Sequence, residues 1–354
     1  MGKSLTKLRW LLVILALALI IGPMPTQRLS AGILPPLDLK RLAGKADAIM
    51  VGQVVSIRDE GPALAKTVSG DRPARAMTAT LQVDAVLKGL SPGRTVEVRF
   101  MRPEEMIGYW PISAGEYGTF FLTSTPPGFA VLDPYHPYVA AAQGATASGK
   151  TPFERVIAEL AAALESPTAS RNVRMMARSV LDQTPGPEAT GALLRGALST
   201  SKDVRYHCIA ALLRRDNIEY LRDAGDILIH PPEGTEPDWV EDVALGLSGV
   251  RDPRAIPLLA DILAGSPLVN ARRSAAGDLR GMRDPKAIKP LALGLYDADA
   301  EVQYFAVIGL AVLTGAPTEW SPANGTFLND PRKYLAHWRG WARGQEYAPA
   351  QQKP

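Results

Sequence analysis

The chain has 354 residues, of which 46% are apolar and 21% charged, a balance that excludes a disordered polyampholyte and permits two domains with ordinary apolar cores. Its single cysteine, Cys208, excludes an internal disulfide framework. The formal charge of +3 belongs to the first 32 residues, which hold Lys3, Lys7, Arg9 and Arg28 and no acid; the remainder carries 35 basic against 36 acidic residues, a balance of −1 that gives no reason to expect nucleic-acid binding.

Residues 1–32 have the layout of a secretory signal peptide. A basic start precedes the apolar run Trp10 to Ile21, Gly22-Pro23 breaks it, and Ser30-Ala31-Gly32 supplies small residues for cleavage before Ile33. The run is short of the roughly 20 residues needed to span a bilayer, and no cysteine follows it to carry a lipid. The expectation is export to the periplasm or cell exterior with no membrane span after cleavage, and a membrane tether if the signal is retained.

Over 33–136 a short helix, "LDLKRLAG", leads into "ADAIMVGQVVSIRD", "MTATLQVDAVLKG", "RTVEVRF", "YGTFFLTS" and "GFAVLD". These short alternating or β-branched runs are split by Ser91-Pro92-Gly93 and Pro126-Pro127-Gly128 and predict five strands in a small closed β-barrel. The words "ADAIMVGQV", "VLKG" and "GEYGTFFL" resemble the oligosaccharide/oligonucleotide-binding (OB) barrel of netrin-like domains and metalloproteinase inhibitors. Those inhibitors act through an N-terminal disulfide-bonded cysteine that this sequence lacks, so the resemblance does not carry their chemistry over. The stretch 137–152, "PYVAAAQGATASGKTP", reads as a flexible linker.

Residues 153–315 are periodic. "RDPRAI" from Arg251 returns as "RDPKAI" from Arg283; each Asp-Pro step caps a helix and places proline in its first turn. First helices are expected at Pro152–Leu164, Pro187–Leu198, about Asn217–Ile229, Pro253–Ala264 and Pro285–Leu295, with kinks at Pro257 and Pro290. Second helices share a frame: Val173…Ala177…Leu181, Val204…Cys208…Leu212, Trp239…Val243…Leu247, Ala271…Ala275…Leu279 and Val302…Ala306…Leu310. The words "DVRYHCIAALLRR", "RDPRAIPLLADIL" and "RDPKAIKPLALGL" resemble short HEAT-like repeats of the kind also found in bilin lyases, which implies a right-handed α-solenoid of about five helix pairs. The last second helix is apolar nearly all round and needs cover, which 316–345 supplies through Trp320 and the amphipathic "DPRKYLAHWRGWARG"; 346–354 is a disordered tail. The fold class is α+β multidomain, an OB-like β-barrel followed by the solenoid.

No catalytic constellation emerges. His136, His207, His230 and His337 fall in no His-Glu-x-x-His, the paired His-Glu steps of HEAT-repeat hydroxylases are missing, and no phosphate loop or nucleophile elbow is present. Asp297-Ala298-Asp299 lacks the rest of a calcium loop and reads as a helix cap, and Asn324-Gly325-Thr326 is a bare sequon. Cys208 occupies a frame position held elsewhere by alanine or valine and is expected to be core. Arg174, Arg205 and Arg272 are expected to bridge to acids such as Asp203 and Asp252 between repeats.

The resemblance places second helices on the concave side, where Met175, Tyr206, Glu241, Arg273 and Tyr304 are expected to meet a partner. The expected function is thus an exported, non-enzymatic scaffold that binds a protein and needs no cofactor or metal. Two other readings stay open: a lyase or isomerase using the repeat groove, and a secreted enzyme inhibitor acting through the barrel.

Overall fold

A computed structural model describes residues 36–67, 70–90, 93–104, 112–144, 148–234 and 236–347. The expected export signal and the last residues of the tail lie outside them. The chain begins with α1 (Leu39–Lys45), whose first turn is held by Asp38 accepting from the Arg41 N–H and which buries Leu39, Leu42 and Ala43.

Six strands follow among the described residues: β1 (Ala48–Thr67), β2 (Gly70–Lys88), β3 (Thr95–Pro103), β4 (Tyr117–Thr125), β5 (Gly128–Val131) and β6 (Tyr138–Val139). The β1–β2, β2–β3, β4–β5 and β4–β6 pairings are antiparallel and β3–β5 is parallel; β1 also pairs with β4 along Ala48–Gln53. The pairings therefore run in a circuit, β1–β2–β3–β5–β4 and back to β1, in one mixed sheet. The β1–β2 hairpin is longer than expected. Gly61 and Pro62 are absorbed by a bulge at Asp59/Gly61, and the ribbon continues to Thr67 and Gly70.

The continuous apolar runs in β1 and β4 have a clear cause: both faces of these strands are buried. Ala48, Met50, Phe120 and Leu122 point into a core built mainly from the strands, with Met176 of the helical part packed against it. Their neighbours Ile49, Val51 and Phe121 point the other way, into a core they share with α1 and the helices beyond. The segment 137–152, expected as a linker, contributes to both structures. Tyr138–Val139 is the sixth strand, and Ala140, Ala141 and Ala142 are buried because their small side chains allow close packing against the helices. Only its later part is exposed.

The helical part consists of paired helices among the described residues. First helices are α2 (Pro152–Glu165), α4 (Pro187–Gly196), α6 (Leu221–Ile229), α8 (Ile256–Gly265) and α10 (Ile288–Gly294). Second helices are α3 (Arg171–Gln183), α5 (Lys202–Arg214), α7 (Pro237–Gly246), α9 (Val269–Met282) and α11 (Ala300–Thr314). Each second helix packs against the next, α3 on α5, α5 on α7, α7 on α9 and α9 on α11. All fifteen frame positions are buried except Val173 and Trp239, which are half-buried. Gly249 lets the end of the third pair sit directly on the backbone of Arg214, where a Cβ would overlap it.

The expected kinks at Pro257 and Pro290 take another form. Asp252 and Asp284 cap single 3-10 turns, Pro253–Ala255 and Pro285–Ala287, and the α-helices start only at Ile256 and Ile288. Pro257 thus lies in the first turn of α8, where its missing N–H costs nothing. At the C-terminal end, α12 (Asn324–Asn329) and α13 (Pro331–Gly344) lie against α11. Trp338 is fully buried and donates its indole N–H to the Trp320 carbonyl at 3.1 Å, while Arg339 donates to the Leu295 carbonyl at 2.6 Å.

Candidate functional site

The residues that follow each frame start lie on second helices and can be followed one by one. Met175 on α3 is 42% exposed, the only exposed large hydrophobic residue of that helix. Glu241 on α7 is exposed and accepts from the Asn270 side-chain amide at 2.5 Å. Arg273 on α9 is half-exposed and is engaged by Asp299 at 2.7 and 2.9 Å and by Glu301 at 3.3 Å. It is therefore held in place rather than free to fork onto a ligand.

Tyr206 and Tyr304 do not belong to an open surface. Tyr206 is 4% exposed. Helix α5 buries eight residues around its circumference, Val204, Tyr206, Cys208, Ile209, Ala210, Ala211, Leu212 and Leu213, so it is a helix enclosed by neighbours. Tyr304 is half-buried, its ring packed against Phe305 and Phe327 with centroids at 5.9 and 5.5 Å. Phe327 belongs to α12, so the C-terminal segment covers this end of the row.

The enclosure of α5 has a polar lid. Arg178 on α3 reaches Asp242 on α7 at 2.7 Å, passing over α5, and Arg171 approaches Asp238 at 3.9 Å along the same route. Beneath them His207 of α5 stands between two carboxylates, its Nδ1 2.7 Å from Asp242 and its Nε2 3.1 Å from Asp203. The Arg178 Nη1 is also 2.5 Å from His207 Nδ1. Arg214 of α5 joins Asp242 at 3.2 Å to Asp182 of α3 at 2.8 Å, and Arg174 joins Asp203 at 3.3 Å. Burial acts to raise the Asp242 pKa, but the His207 hydrogen bond, Arg178 and Arg214 overcome it and hold the carboxyl below its ordinary value. Sequence reasoning set His207 aside and passed over Arg178, Asp182, Arg214 and Asp242. The Asp203/His207 spacing of four on one helix was visible, whereas their partners on other helices were not.

The expected arginine ladder takes shape with one of the two acids named for it, Asp203, but not with Asp252. Arg174 pairs with Asp203, Arg205 with Asp223 at 3.2 Å and Arg272 with Asp297 at 2.8 Å, while Asp252 is taken by Arg254 in its own turn. Asp299 caps α11 by accepting from Glu301 and Val302 N–H groups. Cys208 is fully buried, and burial pushes its thiol up to about 12, which makes it inert.

Among the described residues no group of three or more His, Cys, Asp or Glu side chains is arranged to hold a metal ion. No described helix is long and apolar enough to cross a membrane. No family model and no curated protein matches the chain.

Proposed function

We propose that the chain is an exported, non-enzymatic scaffold that binds a protein partner along its row of second helices. In this reading the circuit of strand pairings is an OB-like β-barrel, and the five phased helix pairs are a HEAT-like, right-handed α-solenoid with the second helices on its concave side. One observation carries the reading. The second helices are tied edge to edge by polar pairs, Arg174–Asp203, Arg178–Asp242, Glu241–Asn270 and Arg273–Asp299, which make a rigid, continuous face. Rigid faces lose little entropy on binding, and Met175 gives this one an exposed apolar anchor. Met175, Glu241 and Arg273 with Glu301 would be contact positions; Tyr206 and Tyr304 would support them from below.

A photo-crosslinking residue placed at Met175, at Glu241, or at exposed Leu198 beyond the end of first helix α4 tests this in full-length protein mixed with envelope extract. The same partner captured from positions 175 and 241 but not from 198 is the expected result. Capture from 198 alone would move the binding surface to the opposite side and sink the proposal.

A further inference from the structure

Helix α2 lies between the sheet and the remaining helices. It buries Val156, Ile157, Leu160, Ala161, Ala163 and Leu164 in the core that contains Leu39, Val51, Leu87, Phe121 and Val139–Ala142. In the middle of this apolar face stands Glu159, 0% exposed, and neither of its carboxylate oxygens has a hydrogen-bond partner.

Among the described residues its surroundings offer it no counter-charge. Tyr117, at the start of β4, lies close enough for mutual electrostatic influence; burial, its hydrogen bond to Asp84 of β2 and the Glu159 charge all hold the phenol above its usual pKa. Arg155, one turn earlier on α2, spends its guanidinium on the Leu87 and Gly149 carbonyls at 3.0 and 3.1 Å. Lys88 of β2 donates to the Ala43 and Gly44 carbonyls. On α1, Lys40 and Lys45 are exposed and Arg41 pairs with Asp38. On α3, Arg174 and Arg178 are engaged by Asp203 and Asp242, and on α4 Glu188 and Arg195 are exposed, the latter beside Glu165. A bare carboxylate in such a place costs several kcal/mol, whereas the neutral acid costs far less. Separation of α2 from the sheet would return Glu159 to water, where it ionises normally.

We propose that Glu159 is a proton-operated catch between the sheet and the helix pairs: the joint is held while its carboxyl is neutral and weakens when the proton passes to solvent. Burial alone raises this carboxyl to about 7. A raised acid pKa means that the joined state holds a proton which the opened state has lost. Opening therefore becomes more favourable as pH rises through the interval between the ordinary carboxyl value and about 7, and levels off above it.

Hydrogen exchange of the full-length protein, corrected for the intrinsic pH dependence of exchange, reads the joint directly. In the native protein, protection over Tyr138–Ala142 and α2 is expected to show a slope beyond any in α13, a fall of up to about tenfold per pH unit from pH 5 to 7. Glu159→Gln, neutral at every pH, is expected to abolish that slope. The same slope in Glu159→Gln, no slope in the native protein, or an equal loss across α13 would each overturn the proposal. If Glu159→Gln does not fold, infrared spectroscopy of the native protein with isotope-labelled glutamate decides instead. A neutral carboxyl band present at pH 5.5 and lost by pH 8.5 is expected, and its absence at pH 5.5 would overturn the proposal.

Discussion

Arg178 and Asp242 meet at 2.7 Å although 64 positions and three α-helices, α4, α5 and α6, separate them along the chain. The contact joins the first and third helix pairs over the second, and it makes Asp242 the meeting point of Arg178, Arg214 and His207.

Asp242→Ala should leave the Arg178 guanidinium half-buried without its anion and strip Arg214 and His207 of one of their two carboxylates. The expected loss is about 2–3 kcal/mol in denaturant titration, less than for a fully buried pair because water still reaches the cluster. Arg171→Ala breaks only an exposed 3.9 Å pair and should change stability by less than about 0.5 kcal/mol. The folded Asp242 carboxyl titrates below its unfolded value, so its contribution is full above the ordinary carboxyl range and is lost as pH falls through it. Equal effects of the two substitutions would contradict the lid.

Asp278 carries the opposite sign. It is 3% exposed, and burial pushes it to about 8 even though Arg251 donates to Oδ1 at 3.1 Å, because that guanidinium is 55% exposed and shared with water. Val180, Ala211, Gly246 and Gly309 fill the equivalent position in the other second helices. Stability contributed by neutral Asp278 is present at acid pH and declines as pH rises toward about 8. Asp278→Ala should therefore raise stability at pH 8, on the order of 2 kcal/mol, and flatten thermal midpoints between pH 5 and 8. A lower midpoint for this variant at pH 8 would show that Arg251 pays for the burial after all.

Cys208 and Gly196 form a packing pair. A Cβ at Gly196 would overlap the Cys208 sulfur, so Gly196→Ala should cost about 1–3 kcal/mol. Cys208→Ala alone should cost about 1 kcal/mol, and the double variant should be more stable than the sum of the two losses predicts. Native Cys208 should resist bulky thiol reagents. Strict additivity in the cycle would argue against the contact.

The two kinds of stripe residue should separate in one set of variants. Met175→Ala with Arg273→Ala should weaken partner binding by about 2 kcal/mol if either is an anchor, with little change in melting. Tyr206→Ala should instead lower stability by about 3 kcal/mol, since it empties a buried ring site. Affinity that follows Tyr206 in a fully folded variant would require α5 to open.

Repeat phase was legible because it is local: caps at Asp252, Asp284 and Asp299 and the small-and-leucine frame need no knowledge of distant residues. Burial of Tyr206 was not, since it depends on side chains from α3 and α7 closing over α5. Tyr138–Ala142 misled for a related reason. A run of alanines has the composition of a linker, yet its small side chains suit it to the tight space between sheet and helices. The runs "AIMV" and "TFFL" marked strands, but the burial of their second face depends on helices far along the chain.

Because adjacent residues of β1 and β4 serve different cores, the sheet is not a detachable module. A fragment ending near residue 136 would bare Ile49, Val51 and Phe121 to water, and one starting near residue 150 would bare Val156, Ile157 and Leu160. Each piece would meet solvent with a sticky flank where the intact chain has an interior. Shortened versions are therefore expected to aggregate. Tags or foreign inserts belong at sites such as the Pro231–Gly234 turn, where the exposed chain carries no part of either interior.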